Sequence, residues 1–268
     1  MAEPLNSYSL FPLGDSAITL DVGNCIDELH NIRVQAIHDW LQAHRFPGVQ
    51  DIIVAYSSVS VFYDPAVVRV SGVAGAASLA SAGSAAEFVE ALMMRAWAAT
   101  AASDVTGSQT ADAGLSGAAG AGFSAERGHS FRIPVCYEGP YAPDLQGVAV
   151  QLGLSLREIV ELHCAGVYRV YMIGFLPGFP YLGTVDRRLQ LPRKARPVPV
   201  QAGAVGIAGG QTGIYPLNSP GGWLIIGRTP LKLFDPEASP PVRLQTGDRV
   251  QFYPISPREF DGLSGRPV

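Results

Sequence analysis

The sequence has few charged residues and very little lysine. Only 16% of its 268 residues are charged, and just two of the 19 Lys and Arg residues, Lys194 and Lys232, are lysines. The formal net charge is −4, so the chain lacks the basic surface that nucleic-acid binding requires. Arginine suits bidentate contacts with carboxylates and phosphates. A GC-rich genome produces the same bias and is the simpler explanation.

Cysteine pairs and long apolar runs are also missing. The three cysteines, Cys25, Cys136 and Cys164, form no CxxC pair and have no metal-ligand spacing. An odd number of cysteines without a signal peptide favours a reducing cytoplasm, which is the location we expect. No apolar run approaches the roughly 20 residues of a membrane span. Hydrophobic residues make up 47% of the chain, enough for the core of one large or two modest domains.

Several functional motifs do not occur. The sequence contains no GxxxxGK[ST], GxGxxG, GxSxG or HExxH. A nucleotide, if bound, is therefore not held by a P-loop. Three of the five histidines, His30, His38 and His44, lie on or near one predicted helix without i,i+4 spacing, and we expect no metal site.

The first part of the chain alternates between strand and helix patterns in the order β-α-β-β-α-β. The predicted elements are a strand at 17–22, a helix at 27–41, two strands within 51–64, a helix at 84–100 and a strand at 130–138. This order is the split βαβ, or ferredoxin-like, pattern and predicts an α+β N-terminal domain over 1–138. An Ala/Gly/Ser-rich stretch at 101–128 is expected to be a flexible insertion within that domain.

The second part, 139–268, begins with two short helices and continues in short strands. Asp144 is expected at the N-cap of the first helix. Ser155, followed three residues later by Glu158, predicts a capping box for the second. From Tyr168 onward, apolar segments separated by Gly and Pro predict a compact β-barrel.

Three Gly- and Pro-rich segments carry the strongest functional signal. They are GFLPGFPYLG (174–183), LPRKARP (191–197) and GIAGGQTGIYPLNSPGGWLIIGRTPLKLFDP (206–236). In this order they resemble the KipI family, which is also named after one of the subunits of 5-oxoprolinase or called allophanate hydrolase subunit 1. The segments are also similar to one portion of the carboxyltransferase domain of urea carboxylase. The resemblance covers nearly the whole chain except the Ala/Gly/Ser-rich insertions.

The resemblance implies a fold and a function. The fold is an N-terminal α/β domain followed by a cyclophilin-like β-barrel domain. With a carboxyltransferase-like sister subunit and a third catalytic subunit, such proteins form 5-oxoprolinase, a hydrolase that opens 5-oxo-L-proline to L-glutamate. ATP, with Mg, acts at the level of that heteromeric complex. The alternative is a regulatory protein that inhibits a sensor histidine kinase, and a proline-peptide binder is a third interpretation based on fold alone.

The sequence departs from the family pattern at two positions. The family usually has a second Pro-Arg after the first, whereas this chain reads Pro197-Val198. The Gly-Ser-Val of the family reads Gly203-Ala204-Val205. If the family's Arg and Ser contact a ligand, this chain has lost two polar groups there.

The resemblance and the chemistry of lactam opening together select candidate site residues. Activating an amide oxygen as a phosphate ester requires cations and N–H groups that stabilise an oxyanion. The candidate catalytic residues are His163 as a base and Arg193 and Arg228 as cations. The candidate substrate- or ATP-binding residues are Gly178, Phe179, Tyr181, Gly209, Gly210, Gln211, Thr212, Gly213, Tyr215, Gly221, Gly222 and Trp223. We expect these segments to form the lip of one barrel pocket, with Arg228 and Gln211 as its polar contacts.

The candidates also have structural interpretations. The glycines can form barrel corners and bulges instead of approaching a ligand. Trp223 can belong to the core, and Phe175, Phe179 and Tyr181 can pack together instead of lining a groove. His163 ends a helix, where a cation interacts favourably with the dipole. The motif segments contain no paired carboxylates, which favours a subunit whose site is completed by a partner.

Overall fold

The computed structural model of the protein describes residues 7–70, 83–101 and 128–264. The chain divides into two compact units, residues 1–126 and 127–268, and each has its own hydrophobic core. Nearly all of the predicted insertion at 101–128 lies outside the described residues. Within the described ranges, no helix combines the length and apolar character that a membrane crossing requires.

The first unit is a four-stranded antiparallel sheet with two long helices. Its elements are β1 (Ser9–Pro12), β2 (Ala17–Asp21), α1 (Glu28–Ala43), β3 (Val49–Val54), β4 (Ser58–Tyr63), α2 (Pro65–Val70) and α3 (Ala85–Thr100). The strand order is β1-β2-β4-β3. Asp27 and Ser84 cap α1 and α3, because their side chains accept hydrogen bonds from backbone N–H groups of the first turn. Apolar residues of both helices and of the sheet form one core.

The second unit is built on a seven-stranded, nearly closed, barrel-like sheet. Its elements are β5 (Ser130–Val135), a 3-10 helix (Gly139–Tyr141), α4 (Leu145–Leu152), α5 (Leu156–Ala165), β6 (Val167–Ile173), β7 (Pro180–Gly183), a second 3-10 helix (Arg187–Leu189), β8 (Val198–Val200), β9 (Ala204–Ala208), β10 (Gln211–Ile214), β11 (Ser219–Gly221), β12 (Leu224–Arg228), β13 (Arg249–Pro254) and α6 (Pro257–Leu263). The strand order is β12-β9-β10-β7-β6-β13-β5. A bridge between Cys136 and Arg228 links the two outer strands, and β8 and β11 form a separate two-stranded sheet.

The ferredoxin-like arrangement of the first unit is not confirmed, because its predicted last strand belongs to the other unit. β5 pairs in parallel with β13 along its whole length, from Ser130 opposite Arg249 to Val135 opposite Pro254. The position beside β2 at the edge of the first sheet is taken by β1, which the sequence pattern does not predict. The compact units consequently separate between residues 126 and 127, ahead of β5, and not at 138.

The barrel-like sheet has an inner and an outer face, since successive side chains of a strand point to opposite sides. Val205, Ile207 and Ile214 of β9 and β10 lie in the interior core. Gly206 and Gly213 alternate with them and are opposite each other on the outer face. The two faces therefore present different residues from the same motif segment.

The helices α4 and α5 begin where the sequence predicts. The capping box of Ser155 and Glu158 is confirmed, because each side chain accepts a hydrogen bond from the backbone N–H of the other. Asp144 occupies the predicted N-cap of α4, but its side chain caps no N–H of that helix. Its carboxylate bonds to the Pro192–Pro197 loop and to β12 instead, as described below.

Candidate functional site

Five aromatic side chains from separate motif segments meet on the outer face of the barrel-like sheet. Phe179 is central, and its ring centroid lies 4.8 Å from that of Tyr181 and 5.1 Å from that of Tyr215. The Trp223 ring is 5.5 Å from Phe179. Phe175 lies 5.7 Å from Phe179 and is the most exposed of the five. We call these five residues the aromatic cluster, and they join four of the predicted binding residues in one surface.

Two glycines allow the aromatic rings to lie directly on the sheet. Gly206 and Gly213 are cross-strand neighbours in β9 and β10. A Cβ atom on Gly213 would lie 3.0 Å from ring atoms of both Phe179 and Trp223. A Cβ atom on Gly206 would lie 3.0 Å from the Cβ of Trp223. The absent side chain of Gly213 thus makes room for the protein's own rings, which favours the structural interpretation of this glycine.

The turn between β9 and β10 contains two more of the predicted binding residues. Gly209 and Gly210 form this two-residue turn, and Gly209 has a φ of 56°, which favours glycine. The N–H of Gly209 donates to the carbonyl oxygen of Leu191 at 2.7 Å, so this donor is already engaged. Gln211 follows the turn and lies opposite Gly183 of β7. Both glycines therefore serve as corners of the sheet.

The remaining glycines support the aromatic cluster from its edges. Gly178 precedes Phe179 in the chain and has a φ of 79°. Gly221 lies against the Tyr215 ring, and a Cβ atom there would overlap the phenol oxygen. Burial raises the pKa of Tyr215, and a hydrogen bond from the backbone N–H of Trp223 to the phenol oxygen opposes part of that increase.

Arg193 lies in a loop that its neighbours anchor to the barrel. The backbone N–H of Lys194 donates to the carbonyl oxygen of Gly222 at 2.7 Å. The Nζ of Lys194 lies 2.7 Å from Oδ2 of Asp144, which also accepts the backbone N–H of Ile225 at 2.6 Å. Arg193 itself is exposed, and a Cβ atom on Gly222 would lie 3.9 Å from its Cδ. The loop thus holds an exposed cation beside the segment that leads into β12.

His163 lies inside the barrel, where its exposed fraction is 0%. Its Nε2 is 2.9 Å from Oγ1 of Thr212, whose hydroxyl donates to the carbonyl oxygen of Gly206 at 3.0 Å. A hydroxyl carries only one proton, so Thr212 accepts from Nε2–H. The Nδ1 of His163 then accepts from the hydroxyl of Tyr137 at 2.7 Å. The ring also stacks on Phe252, with 4.6 Å between centroids.

These contacts make His163 a neutral core residue. Burial lowers the pKa of its imidazole to about 3, so the ring carries no charge near neutral pH. The predicted dipole interaction of a cationic His163 is therefore incorrect, since the ring is neutral. The hydroxyl of Thr212 is committed to the same interior network. The geometry favours structural roles for His163 and Thr212 over the predicted roles as base and ligand contact.

Arg228 lies in a different place from the aromatic cluster. Its Nε donates to the carbonyl oxygen of Ala202 at 2.8 Å, and its Nη1 donates to Oε1 of Gln201 at 2.6 Å. Its guanidinium carbon is 5.8 Å from the centre of the Phe260 ring in α6. It lines a cavity of about 240 Å³ whose described lining residues include no member of the aromatic cluster. The single pocket expected from the sequence is therefore two separate places.

The two departures from the family pattern lie near the aromatic cluster. Ala204 is buried and packs with Phe179 and Tyr215. A serine there would place a hydroxyl among aromatic rings. Val198 is exposed at the start of β8, opposite Gly221 of β11. Both substitutions make this face less polar.

The sequence pattern does not point to Tyr137 or Gly206 as site-forming residues. Tyr137 follows β5, far along the chain from its partner His163, and no local pattern links the two. Gly206 did have a usable signal. It and Gly213 are placed symmetrically about the Gly209-Gly210 turn, so a two-residue hairpin turn pairs them.

Comparisons with known proteins agree with this arrangement. Residues 8–244 match a family model described as carboxyltransferase domain, subdomain C and D. A 5-oxoprolinase subunit of Bacillus subtilis (strain 168) is 39% identical over 260 residues, which are 94% of this chain and 95% of that protein. The crystal structure of TTHA0988 is 33% identical with a TM-score of 0.66, over 90% of this chain and 40% of that one. This chain thus spans well under half of the TTHA0988 polypeptide.

A more distant structure shows the fold alone. The Kluyveromyces lactis urea carboxylase is 15% identical with a TM-score of 0.68, over 95% of this chain and 22% of that one. The family itself rests on the match over residues 8–244 and on the full-length similarity to the Bacillus subtilis protein. The chain belongs to the carboxyltransferase subdomain C and D family, which includes this type of 5-oxoprolinase subunit.

Proposed function

We propose that this chain is the corresponding subunit of an ATP-dependent 5-oxoprolinase, a hydrolase that opens 5-oxo-L-proline to L-glutamate. The observation that carries the proposal is the 39% identity to the 5-oxoprolinase subunit of Bacillus subtilis along nearly the full length of both proteins. The aromatic cluster supports it, because motif segments that resemble the family come together there. A cyclophilin-like description of the barrel and a cytoplasmic location are parts of the same proposal.

The proposal gives this chain a role that depends on partners. Lactam opening requires acid and base groups as well as a group that activates the amide oxygen. The aromatic cluster supplies an apolar wall, and Arg193 supplies an exposed cation. His163 is neutral and enclosed, so it is a poor source of acid–base chemistry. A carboxyltransferase-like sister subunit and a third catalytic subunit provide the remaining groups.

ATP and Mg belong to the assembled complex in this proposal. In the part of the chain that the structure describes, no three His, Cys, Asp or Glu side chains come together as metal ligands. We therefore assign no residue of this chain to Mg. The partner requirement is consistent with TTHA0988, of which this chain spans 40%.

Reconstitution of the complex tests the proposed activity. Co-expressed with the sister and third subunits, this chain is expected to support ATP-dependent release of glutamate from 5-oxo-L-proline. Each preparation that omits one subunit is the control and is expected to release none. A complete complex without glutamate release would contradict the proposal. If the chain instead lowered the autophosphorylation of a sensor histidine kinase at stoichiometric amounts, the regulatory alternative would replace it.

A substitution at Phe175 tests whether the aromatic cluster takes part. This residue is 61% exposed and has a φ of 65°, a conformation that Asn adopts readily. We expect Phe175→Asn to change the free energy of unfolding by less than about 0.5 kcal/mol. Turnover by the complex, or affinity for the sister subunit, should fall at least about tenfold, as for an exposed aromatic anchor.

The matched control is the same change at Val150, an exposed apolar residue of α4. Val150→Asn should leave turnover and subunit affinity unchanged. Equal losses from both variants, or none from Phe175→Asn, would remove the aromatic cluster from the proposed function.

A further inference from the structure

The cavity beside Arg228 is built from residues that the proposed function does not use. It has a volume of about 240 Å³ and lies between the end of β12, the residues before β9 and α6. Its size suits a ligand smaller than a drug molecule, whose pockets begin at about 300 Å³. Two cations and an apolar wall form its lining.

The guanidinium of Arg228 is fixed in place but not neutralised. Both of its hydrogen-bond acceptors, the carbonyl of Ala202 and the side-chain oxygen of Gln201, are uncharged. These two bonds use two of the five N–H donors of a guanidinium. The Phe260 ring at 5.8 Å also holds the group. A positioned guanidinium with neutral partners attracts an anion and can bind a planar carboxylate through two parallel hydrogen bonds.

The charge balance of the cavity favours an anion with a single charge. Lys232 is the second cation of the lining, but its Nζ lies 2.9 Å from Oδ2 of Asp235. That pair contributes no net charge, so Arg228 alone remains uncompensated. The described residues that line the cavity include no carboxylate. One positive charge matches a carboxylate better than a phosphate dianion.

The remaining wall is suited to hydrocarbon. Pro216, Pro230, Leu231 and Phe260 line the cavity opposite a charged group that is already oriented. Rigid rings bury apolar surface with little loss of conformational entropy. A ligand with a carboxylate at one end and a small apolar ring or branch at the other would satisfy both parts of the lining.

We propose that this cavity is a binding site for a small monocarboxylate, with Arg228 pairing with the carboxylate and the prolines and Phe260 covering the hydrocarbon part. In a 5-oxoprolinase the compound of this class is 5-oxo-L-proline, and that identification rests on the proposed function. The carboxylate site itself does not depend on it.

Titrations of the full chain test the site directly. The probes are 5-oxo-L-proline, cyclopentanecarboxylate and inorganic phosphate, followed by nuclear magnetic resonance of the arginine Nε–H groups. We expect saturable binding of the carboxylates, and at least about tenfold weaker binding of phosphate. Arg228→Gln should weaken carboxylate binding by about 10- to 100-fold, because a hydrogen-bonded charge is lost. Equal binding by wild type and Arg228→Gln, or no saturable binding by wild type, would overturn the proposal.

Two further variants change the charge without touching Arg228. Lys232→Gln leaves the Asp235 carboxylate unpaired, and carboxylate affinity should fall about three- to tenfold at low salt. Asp235→Asn leaves Lys232 unpaired, and phosphate affinity should rise by a similar factor. Both side chains are partly exposed, at 51% and 31%, so neither change should prevent folding. Unchanged affinities in both variants would contradict the charge balance on which the proposal rests.

The outcomes separate this site from the proposed function. Carboxylate binding by a chain whose complete complex releases no glutamate would leave the site standing and contradict the 5-oxoprolinase assignment. An active complex whose KM for 5-oxo-L-proline is unchanged by Arg228→Gln would contradict 5-oxo-L-proline as the ligand of this cavity.

Discussion

The two faces of β10 use adjacent residues in opposite ways. Thr212 points into the barrel, where its hydroxyl connects His163 to the carbonyl oxygen of Gly206. Gly213 points outward, and its missing side chain lets Phe179 and Trp223 lie on the sheet. The polar residues of the motif therefore stabilise the interior, and the apolar ones form the outer surface. Residue type alone would have suggested the reverse.

The largest expected effect comes from removing the interior histidine. His163→Ala creates a cavity and leaves the hydroxyls of Tyr137 and Thr212 without their imidazole partner. We expect the free energy of unfolding to fall by about 3–5 kcal/mol, measured by urea denaturation. His38→Ala, on the first unit, is the control and should cost less than about 1 kcal/mol. Similar losses in the two variants would mean that the interior network contributes little.

The second effect concerns the outer face. Gly213→Ala places a methyl group where 3.0 Å separates its position from the Phe179 and Trp223 rings. The resulting overpacking should lower the free energy of unfolding by about 1–3 kcal/mol. Gly147→Ala in α4 is the matched control, since nothing lies within 4 Å of its added Cβ. That variant should gain about 0.5–1 kcal/mol from helix propensity. A neutral Gly213→Ala would show that the rings do not need the flat surface.

The smallest effect is a pH dependence that only the interior face should produce. Burial lowers the pKa of His163 to about 3 in the folded protein, whereas an unfolded histidine has a pKa of about 6.5. Between these values the unfolded state binds a proton that the folded state does not, so stability falls as the pH falls. We expect a loss of about 1 kcal/mol between pH 7 and 5.5, above the range in which carboxylates titrate.

The comparison for this measurement is His163→Gln, which has no titratable group at this position. Its free energy of unfolding should lack the His163 contribution to the slope over the same pH range. A slope identical to that of the wild type would assign the pH dependence to other groups.

Local elements of the fold could be predicted from the sequence. The helix α1 follows from apolar residues at helical spacing, and α5 from the capping box of Ser155 and Glu158. β1 could not be found, because its four residues include a proline and show no regular alternation. The partner of β5 could not be found either. Its parallel pairing with β13 joins distant parts of the chain, and no local pattern records such a contact.

The candidate site was partly predictable for the same reason. Motif segments known to occur together indicated that Phe179, Tyr215 and Trp223 meet, and the structure brings them together. Burial of His163 was not predictable. Its helix looks amphipathic from the sequence, and the stacking partner Phe252 lies near the other end of the unit. The separation of Arg228 from the aromatic cluster depends on α6, whose position local sequence does not give.

The pairing of β5 with β13 also has a consequence for biosynthesis. β5 is the first strand of the second unit to leave the ribosome, yet its neighbour in the sheet is the last. The bridge between Cys136 and Arg228 likewise forms only after β12 is made. Non-local pairing of this kind is slow, and it leaves strand edges exposed while the chain waits. The second unit can therefore close only near the end of translation, and the growing chain carries an unpaired β5 until then.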